Sequence, residues 1–242
     1  RIDEDMQGYA VQAVENLPEA RPDNNYVGLI SMNPENGEIM AMYGGEDYLT
    51  RARNTATQDR AQAGSTFKPF GLLAGIEAGV SLTARYDSSS PYEVGGQEFE
   101  NFQLRGLGNI TLLEATANSV NTVYIRLNEE VGPQATRDVA VRAGLPESTP
   151  GLDDTLSNVL GSASPRAKEM ANAYSTFAAQ GSRTNPHIVL EIRNRDGDVI
   201  YTGDTSGERV FEADDIANLT YALESVVSPG GVWVCAGNPP LS

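Results

Sequence analysis

Gln62-Ala63-Gly64-Ser65-Thr66-Phe67-Lys68-Pro69-Phe70 is the stretch on which the reading of this 242-residue chain turns. It leads into an apolar run, Phe70 to Val80. Proline is tolerated only near a helix start, so a helix is predicted to begin here with Ser65 as its N-cap. A serine hydroxyl is a poor nucleophile until a neighbouring base takes its proton, and a lysine kept neutral by burial can be that base. Ser65 and Lys68 stand three residues apart, which puts both side chains on one face of a helix. Free N–H groups and the positive dipole at a helix N-terminus favour a developing oxyanion and a lowered lysine pKa. On the pair alone, a capping serine followed by a solvated lysine is the plainer account.

Upstream, apolar residues at helical spacing predict a helix over residues 3–17, followed by a polar linker to Asn25. Tyr26 to Met32 and Glu38 to Tyr43 read as strands, and Asn36-Gly37 between them signals a hairpin. Downstream, residues 84–110 read as irregular chain rich in Gly, Ser and Pro. Helices are predicted over 111–117 and 122–131, flanking Ser119-Val120-Asn121, and over 133–143 and 165–180. A second hairpin is predicted over 188–201 and a last helix over 214–227. Strands, then many helices, then strands again imply an α+β fold, an antiparallel sheet flanked by helices.

Composition narrows the chemistry. Hydrophobic content of 40% and charged content of 21% belong to a globular chain. A formal charge of −16 would repel a phosphate backbone, so nucleic acid is not an expected partner. The single cysteine, Cys235, excludes an internal disulfide and a cysteine-cluster metal site. The single histidine, His187, precedes a strand-like run and reads as structural. A base for nucleophilic chemistry is therefore expected to be something other than histidine. No stretch approaches the roughly 18 apolar residues of a membrane span. The chain opens on Arg1 without a signal peptide, and is expected to be an excised domain or fragment of something longer.

The string around Ser65 resembles the active-site signature of class A penicillin-binding proteins, the peptidoglycan transpeptidases. Other motifs follow in that family's order. Gly28 to Gly45, with Asn33-Pro34 and Gly37 to Met42, is similar to its opening hairpin. Ser119-Val120-Asn121 is similar to its Ser-x-Asn motif, and Ser164-Pro165 through Gly181 to its Glu-Met-Ala helix. The earlier Ser31-Met32-Asn33 precedes the nucleophile and reads as turn chemistry. The resemblance implies the penicillin-binding protein and serine β-lactamase fold and a two-step acyl transfer on D-Ala-D-Ala stem peptides of peptidoglycan. It implies Ser65 as nucleophile, Lys68 as base, Ser119 as proton relay, and Asn121 holding both the substrate amide and Lys68. Substrate contacts are implied for Gly64, Ser65 and Asn121, with the Ser65 N–H as half of an oxyanion hole. β-Lactams would acylate the same serine, and no metal or organic cofactor is needed. The implied location is the extracytoplasmic face of the bacterial cell membrane, with an anchor and a glycosyltransferase domain upstream.

The chain departs from the family in one respect: it contains no Lys-Thr-Gly, and no lysine follows Lys168. The expected organisation is a linker and helix over 1–25, a transpeptidase domain over 26–231 and an atypical tail over 232–242. On that reading the C-terminal strands are missing, a sheet edge is left open, and half the oxyanion hole is lost. The expected cost is on the order of a hundred- to a thousand-fold in rate. Two alternatives remain open. One is a serine D,D-carboxypeptidase or β-lactamase, which passes the acyl group to water; Val120 and a 151–161 loop without glutamate speak for transpeptidation. The other is an inactive or scaffolding remnant of the same fold.

Overall fold

The computed structural model describes residues 2–18, 22, 25–228 and 231. In chain order its elements are α1 (Glu4–Glu15), β1 (Leu29–Met32), β2 (Ile39–Tyr43), α2 (Thr55–Gln58), α3 (Lys68–Glu77), β3 (Arg85–Asp87), β4 (Tyr92–Val94), β5 (Gln97–Phe99) and β6 (Asn109–Thr111). There follow α4 (Leu112–Ala117), α5 (Asn121–Val131), α6 (Pro133–Ala143), α7 (Ala167–Ala178), β7 (Ser182–Arg183), β8 (Glu191–Arg193), β9 (Val199–Thr202), β10 (Glu208–Arg209) and α8 (Ala213–Val227). Short 3-10 turns lie at Gly64–Phe67, Phe102–Leu104 and Leu156–Leu160. The class is α+β, as expected. Its strands, among the described residues, form five two-stranded antiparallel ribbons in place of the single sheet anticipated.

The chain divides into two compact units. One holds Arg1–Ala61, Arg142–Pro146 and Pro165–Phe211. Its centre is the β1–β2 hairpin, in register from Leu29 against Tyr43 to Met32 against Ile39. The predicted turn is there for a physical reason: the Asn33 and Asn36 side chains each accept a backbone N–H two residues on, and Gly37 takes φ +77°. α1, capped by Asp3, lies against β2, and the Gln7 side chain pairs with both the N–H and the carbonyl of Met42 at 3.0 Å. α7 packs on β1, and the His187 backbone bridges Gly37 and Ile39. The histidine thus sits where a structural reading put it.

The other unit holds Gln62–Val141, Glu147–Ser164 and the chain from Glu212 onward. α3 runs through it with every residue from Lys68 to Ile76 buried, which is how an all-round apolar helix behaves. α5, α8 and the Leu156–Leu160 turn pack around it. Gly71 and Gly75, one turn apart, leave room that Val159 and Leu127 fill. A buried polar network stiffens the far side. Thr136 donates to Asn128 Oδ1 at 2.6 Å, Asn128 Nδ2 donates to Asn158 Oδ1 at 3.0 Å, and Asn158 Nδ2 reaches the carbonyls of Pro133 and Asp153 at 2.9 Å.

Two expectations need correction. Ser65 does not cap α3: the helix begins at Lys68, whose N–H closes a 3-10 turn onto the Ser65 carbonyl. Residues 84–110 are not irregular but carry β3 to β6, each only three residues long and too short to show a period in sequence. A further element, outside those predicted, is the short helix α2 before Ser65, capped by Asn54. The predicted tail over 232–242, and with it the absent strands, lies outside the described residues.

Candidate active site

The site is built on the first turn of α3 and the junction between α4 and α5. Ser65 stands exposed in the Gly64–Phe67 turn while Lys68, one turn on, is only 3% exposed. Lys68 Nζ lies 3.1 Å from Ser65 Oγ. α4 starts in a capping box between Thr111 and Glu114 and ends where Ser119 adopts φ +52°, an uncommon conformation for a residue with a Cβ. That turn directs both the Ser119 carbonyl, at 2.7 Å, and its hydroxyl, at 2.8 Å, to Lys68 Nζ. Asn121 opens α5, and its Oδ1 meets the same nitrogen at 2.7 Å. The amide orientation follows from its other end, where Nδ2 donates to the Glu100 carbonyl at 2.8 Å. Ser65, Lys68, Ser119 and Asn121, singled out in the sequence, therefore converge on one nitrogen.

Burial pulls the Lys68 pKa down to about 7. The Tyr124 ring, with its centroid 5.5 Å from Nζ, favours the charged form only weakly by comparison. A neutral amine has two N–H bonds and one lone pair. The Ser119 carbonyl and Asn121 Oδ1 can only accept, so they take the two N–H bonds. The lone pair is then left to the hydroxyls of Ser65 and Ser119. Such an arrangement can draw a proton from an alcohol.

Gly64, the remaining predicted contact, takes φ +55° and donates its N–H to the Gly161 carbonyl at 3.1 Å. The preceding Ala63 N–H bonds the Ala163 carbonyl at 2.9 Å, so the segment before Ser65 runs along residues 161–163 as a splint. The Ser65 N–H belongs to the opening turn of a helix, where N–H groups have no acceptor within the helix. Sequence reasoning missed Gly161 and Glu100. Both act through backbone carbonyls, which any residue supplies. Only the glycine identity of 161, at φ +83°, carried a trace.

Comparison with known proteins resolves the family. The model of the penicillin binding protein transpeptidase domain matches residues 27–237. The chain belongs to this family. It is 34% identical over 245 residues to Penicillin-binding protein 1A of Mycobacterium tuberculosis, covering 93% of this chain and 29% of that protein. The same-named protein of Mycolicibacterium smegmatis is 34% identical, over 99% of this chain and 32% of its own length. The chain thus spans about a third of these relatives. Among solved structures, the penicillin-binding protein PonA1 from M. tuberculosis matches with TM-score 0.83 and 32% identity, over 91% of this chain and 61% of that one. PonA1 has also been solved in complex with penicillin V. Penicillin-Binding Protein 1A from Haemophilus influenzae matches with TM-score 0.74 and 26% identity, over 82% of this chain and 34% of that one. The penicillin-binding protein transpeptidase fold is therefore that of this transpeptidase domain.

Proposed function

We propose that the chain is a serine D,D-transpeptidase domain that forms an acyl-enzyme at Ser65. The observation that carries the reading is the environment of Lys68: a buried amine 3.1 Å from the Ser65 hydroxyl whose N–H bonds end on acceptor-only oxygens. Ser65 Oγ attacks the carbonyl carbon between the two D-alanines of a stem peptide, and its proton passes to Lys68 Nζ. The Ser65 N–H, in the opening turn of the helix, is the donor that steadies the oxyanion on this reading. As the tetrahedral intermediate collapses, the C–N bond breaks and Ser119 relays the proton from Lys68 to the departing amino group. D-Alanine leaves, and an ester remains on Ser65. An amine of a neighbouring stem peptide attacks that ester, gives up its proton along the same route, and restores Ser65. Asn121 holds Lys68 and the substrate amide.

A β-lactam enters the same path at its ring carbonyl, a reading that the penicillin V complex of PonA1 supports. The relatives' identity as Penicillin-binding protein 1A supports a place on the extracytoplasmic face of the cell membrane, with peptidoglycan as substrate and a membrane anchor elsewhere in the full-length protein. The test is the intact mass of the chain after incubation with benzylpenicillin, beside a Ser65→Ala control. The expected result is one added penicilloyl mass that the control lacks. An unmodified, folded wild-type chain would sink the proposal.

A further inference from the structure

From the hydrogen bonds around the segment that enters the site at Glu100, we infer that Asn101 is a positioning residue for Asn121, and through it for Lys68. The inference rests on the acyl-transfer reading of Ser65, Lys68 and Asn121. Its starting point is a single peptide unit. The Glu100 carbonyl accepts the Asn121 Nδ2 bond at 2.8 Å, and the N–H of that same peptide, belonging to Asn101, donates to Ser90 Oγ at 2.9 Å. A trans peptide is a rigid plate with its carbonyl and N–H on opposite edges. Pinning one edge on Ser90 therefore aims the other at Asn121.

The Asn101 side chain completes the clamp. It is buried, 7% exposed, with both of its N–H bonds and its oxygen engaged. Oδ1 accepts the N–H of Thr122, the residue after Asn121, at 2.9 Å. Nδ2 donates to the carbonyls of Ser88 and Arg105, both at 2.9 Å. Two consecutive residues of the 100–101 segment thus bond two consecutive residues of the α5 start: Glu100 to the Asn121 side chain, Asn101 to the Thr122 backbone. The Asn121 amide cannot turn away from Lys68 while both bonds stand. Asn121 Oδ1 is one of the two acceptor-only oxygens on the amine, so its direction decides where the Lys68 lone pair points. Buried amides elsewhere in the unit, at Asn128 and Asn158, bond each other, Thr136 and backbone carbonyls without reaching the site's side chains.

The experiment is a double-mutant cycle of Asn101→Ala and Asn121→Ala, read as the benzylpenicillin acylation rate constant resolved from the non-covalent binding constant. It is paired with the ¹⁵N side-chain amide signal of Asn121. Asn101→Ala is expected to slow acylation on the order of 10- to 100-fold with little change in initial binding, as small misplacements of catalytic groups do. In the Asn121→Ala background the same change should add nothing beyond about twofold, because its effect passes through the missing amide. The Asn121 amide signal should move in Asn101→Ala. Should that variant not fold, Ser90→Ala removes only the bond on the far edge of the peptide and is expected to move the signal and the rate in the same direction. Effects that multiply in the double variant, or an unmoved amide signal, overturn the inference. A wild-type chain that benzylpenicillin leaves unmodified while the amide signal still moves would overturn the acyl-transfer reading and keep the Asn101–Asn121 coupling.

Discussion

Gly161 lies backbone against backbone on Gly64, accepting its N–H at 3.1 Å, and a Cβ at 161 would run into the carbonyl oxygen, nitrogen and carbonyl carbon of Gly64. Neither residue bears a side chain, yet together they set where Ser65 stands. Gly161 also takes φ +83°, a region that costs a residue with a Cβ about 1–2 kcal/mol. Gly161→Ala is therefore expected to lower the melting temperature and to slow benzylpenicillin acylation on the order of 100-fold, since Gly64 must shift to admit the methyl group. Stopped-flow acylation and a thermal melt check both parts. Wild-type acylation in the variant would mean that the splint does not place the nucleophile.

Asn158 is what holds Gly161 in turn, since its carbonyl accepts the Gly161 N–H at 2.8 Å. Its side chain is fully buried and bridges Asn128, Pro133 and Asp153. Asn158→Ala removes the side-chain hydrogen bonds to the carbonyls of Pro133 and Asp153 and the acceptor of one Asn128 N–H, at about 1–3 kcal/mol for each buried group left unsatisfied. Urea unfolding should show a loss of several kcal/mol. A loss below about 1 kcal/mol would indicate that water enters and replaces the amide.

How legible all this was in the sequence depends on which atoms act. Ser65, Lys68, Ser119 and Asn121 meet through their side chains at Lys68 Nζ, so identity and spacing exposed the cluster. Glu100 contributes a carbonyl and Gly161 a carbonyl and an absence of Cβ, which leave almost no mark on residue identity. The long helices α1, α5, α7 and α8 were readable from their apolar stripes, within a residue or two of their ends. β3 to β6 were not, because three-residue strands are held by what they pair with: β3 by β6, and β4 by β5 across the Gly95-Gly96 turn. Ser65 was misread as a cap because its neighbours carry the same cues for a 3-10 turn as for an α-helix start.

The buried carboxylate of Glu169, 6% exposed, offers a stability test in the other unit. It accepts from Arg60 Nη1 at 3.2 Å, from Arg166 Nη1 at 2.6 Å and from the Arg166 backbone N–H at 2.8 Å. Removing one partner of a buried ion pair leaves an uncompensated charge, typically at about 3–5 kcal/mol. Here the two arginines keep partial access to water, so the lower end is expected for Glu169→Ala, as a drop in urea midpoint without a change in slope. A shift below about 1 kcal/mol would mean that solvent already screens the cluster.

The pH dependence of the reaction ties Lys68 to both rate and stability. With its pKa drawn down to about 7 by burial, the amine would, on the proposed acyl transfer, be the proton acceptor above that pH and a spent ammonium below it. Acylation of the wild-type chain by benzylpenicillin is expected to rise with pH as a one-proton curve with its midpoint near 7, and Lys68→Met to lose it. The sign for stability follows from the same shift. A lysine in the unfolded chain titrates near 10.4, so between about 7 and 10 the unfolded state holds a proton that the folded state has released. Raising the pH through that window therefore favours the folded state, by up to about 1.4 kcal/mol per unit for this one group. Below pH 7 both states are protonated, and the folded chain bears the whole cost of a buried ammonium. Tyrosines and other groups titrate in the same window, so the quantity to measure is the difference between wild type and Lys68→Met in urea stability from pH 6 to 10. The wild type should gain on the variant steadily as the pH rises. A difference that stays flat would place the Lys68 pKa near its ordinary value, and an acylation midpoint near 10 should accompany it.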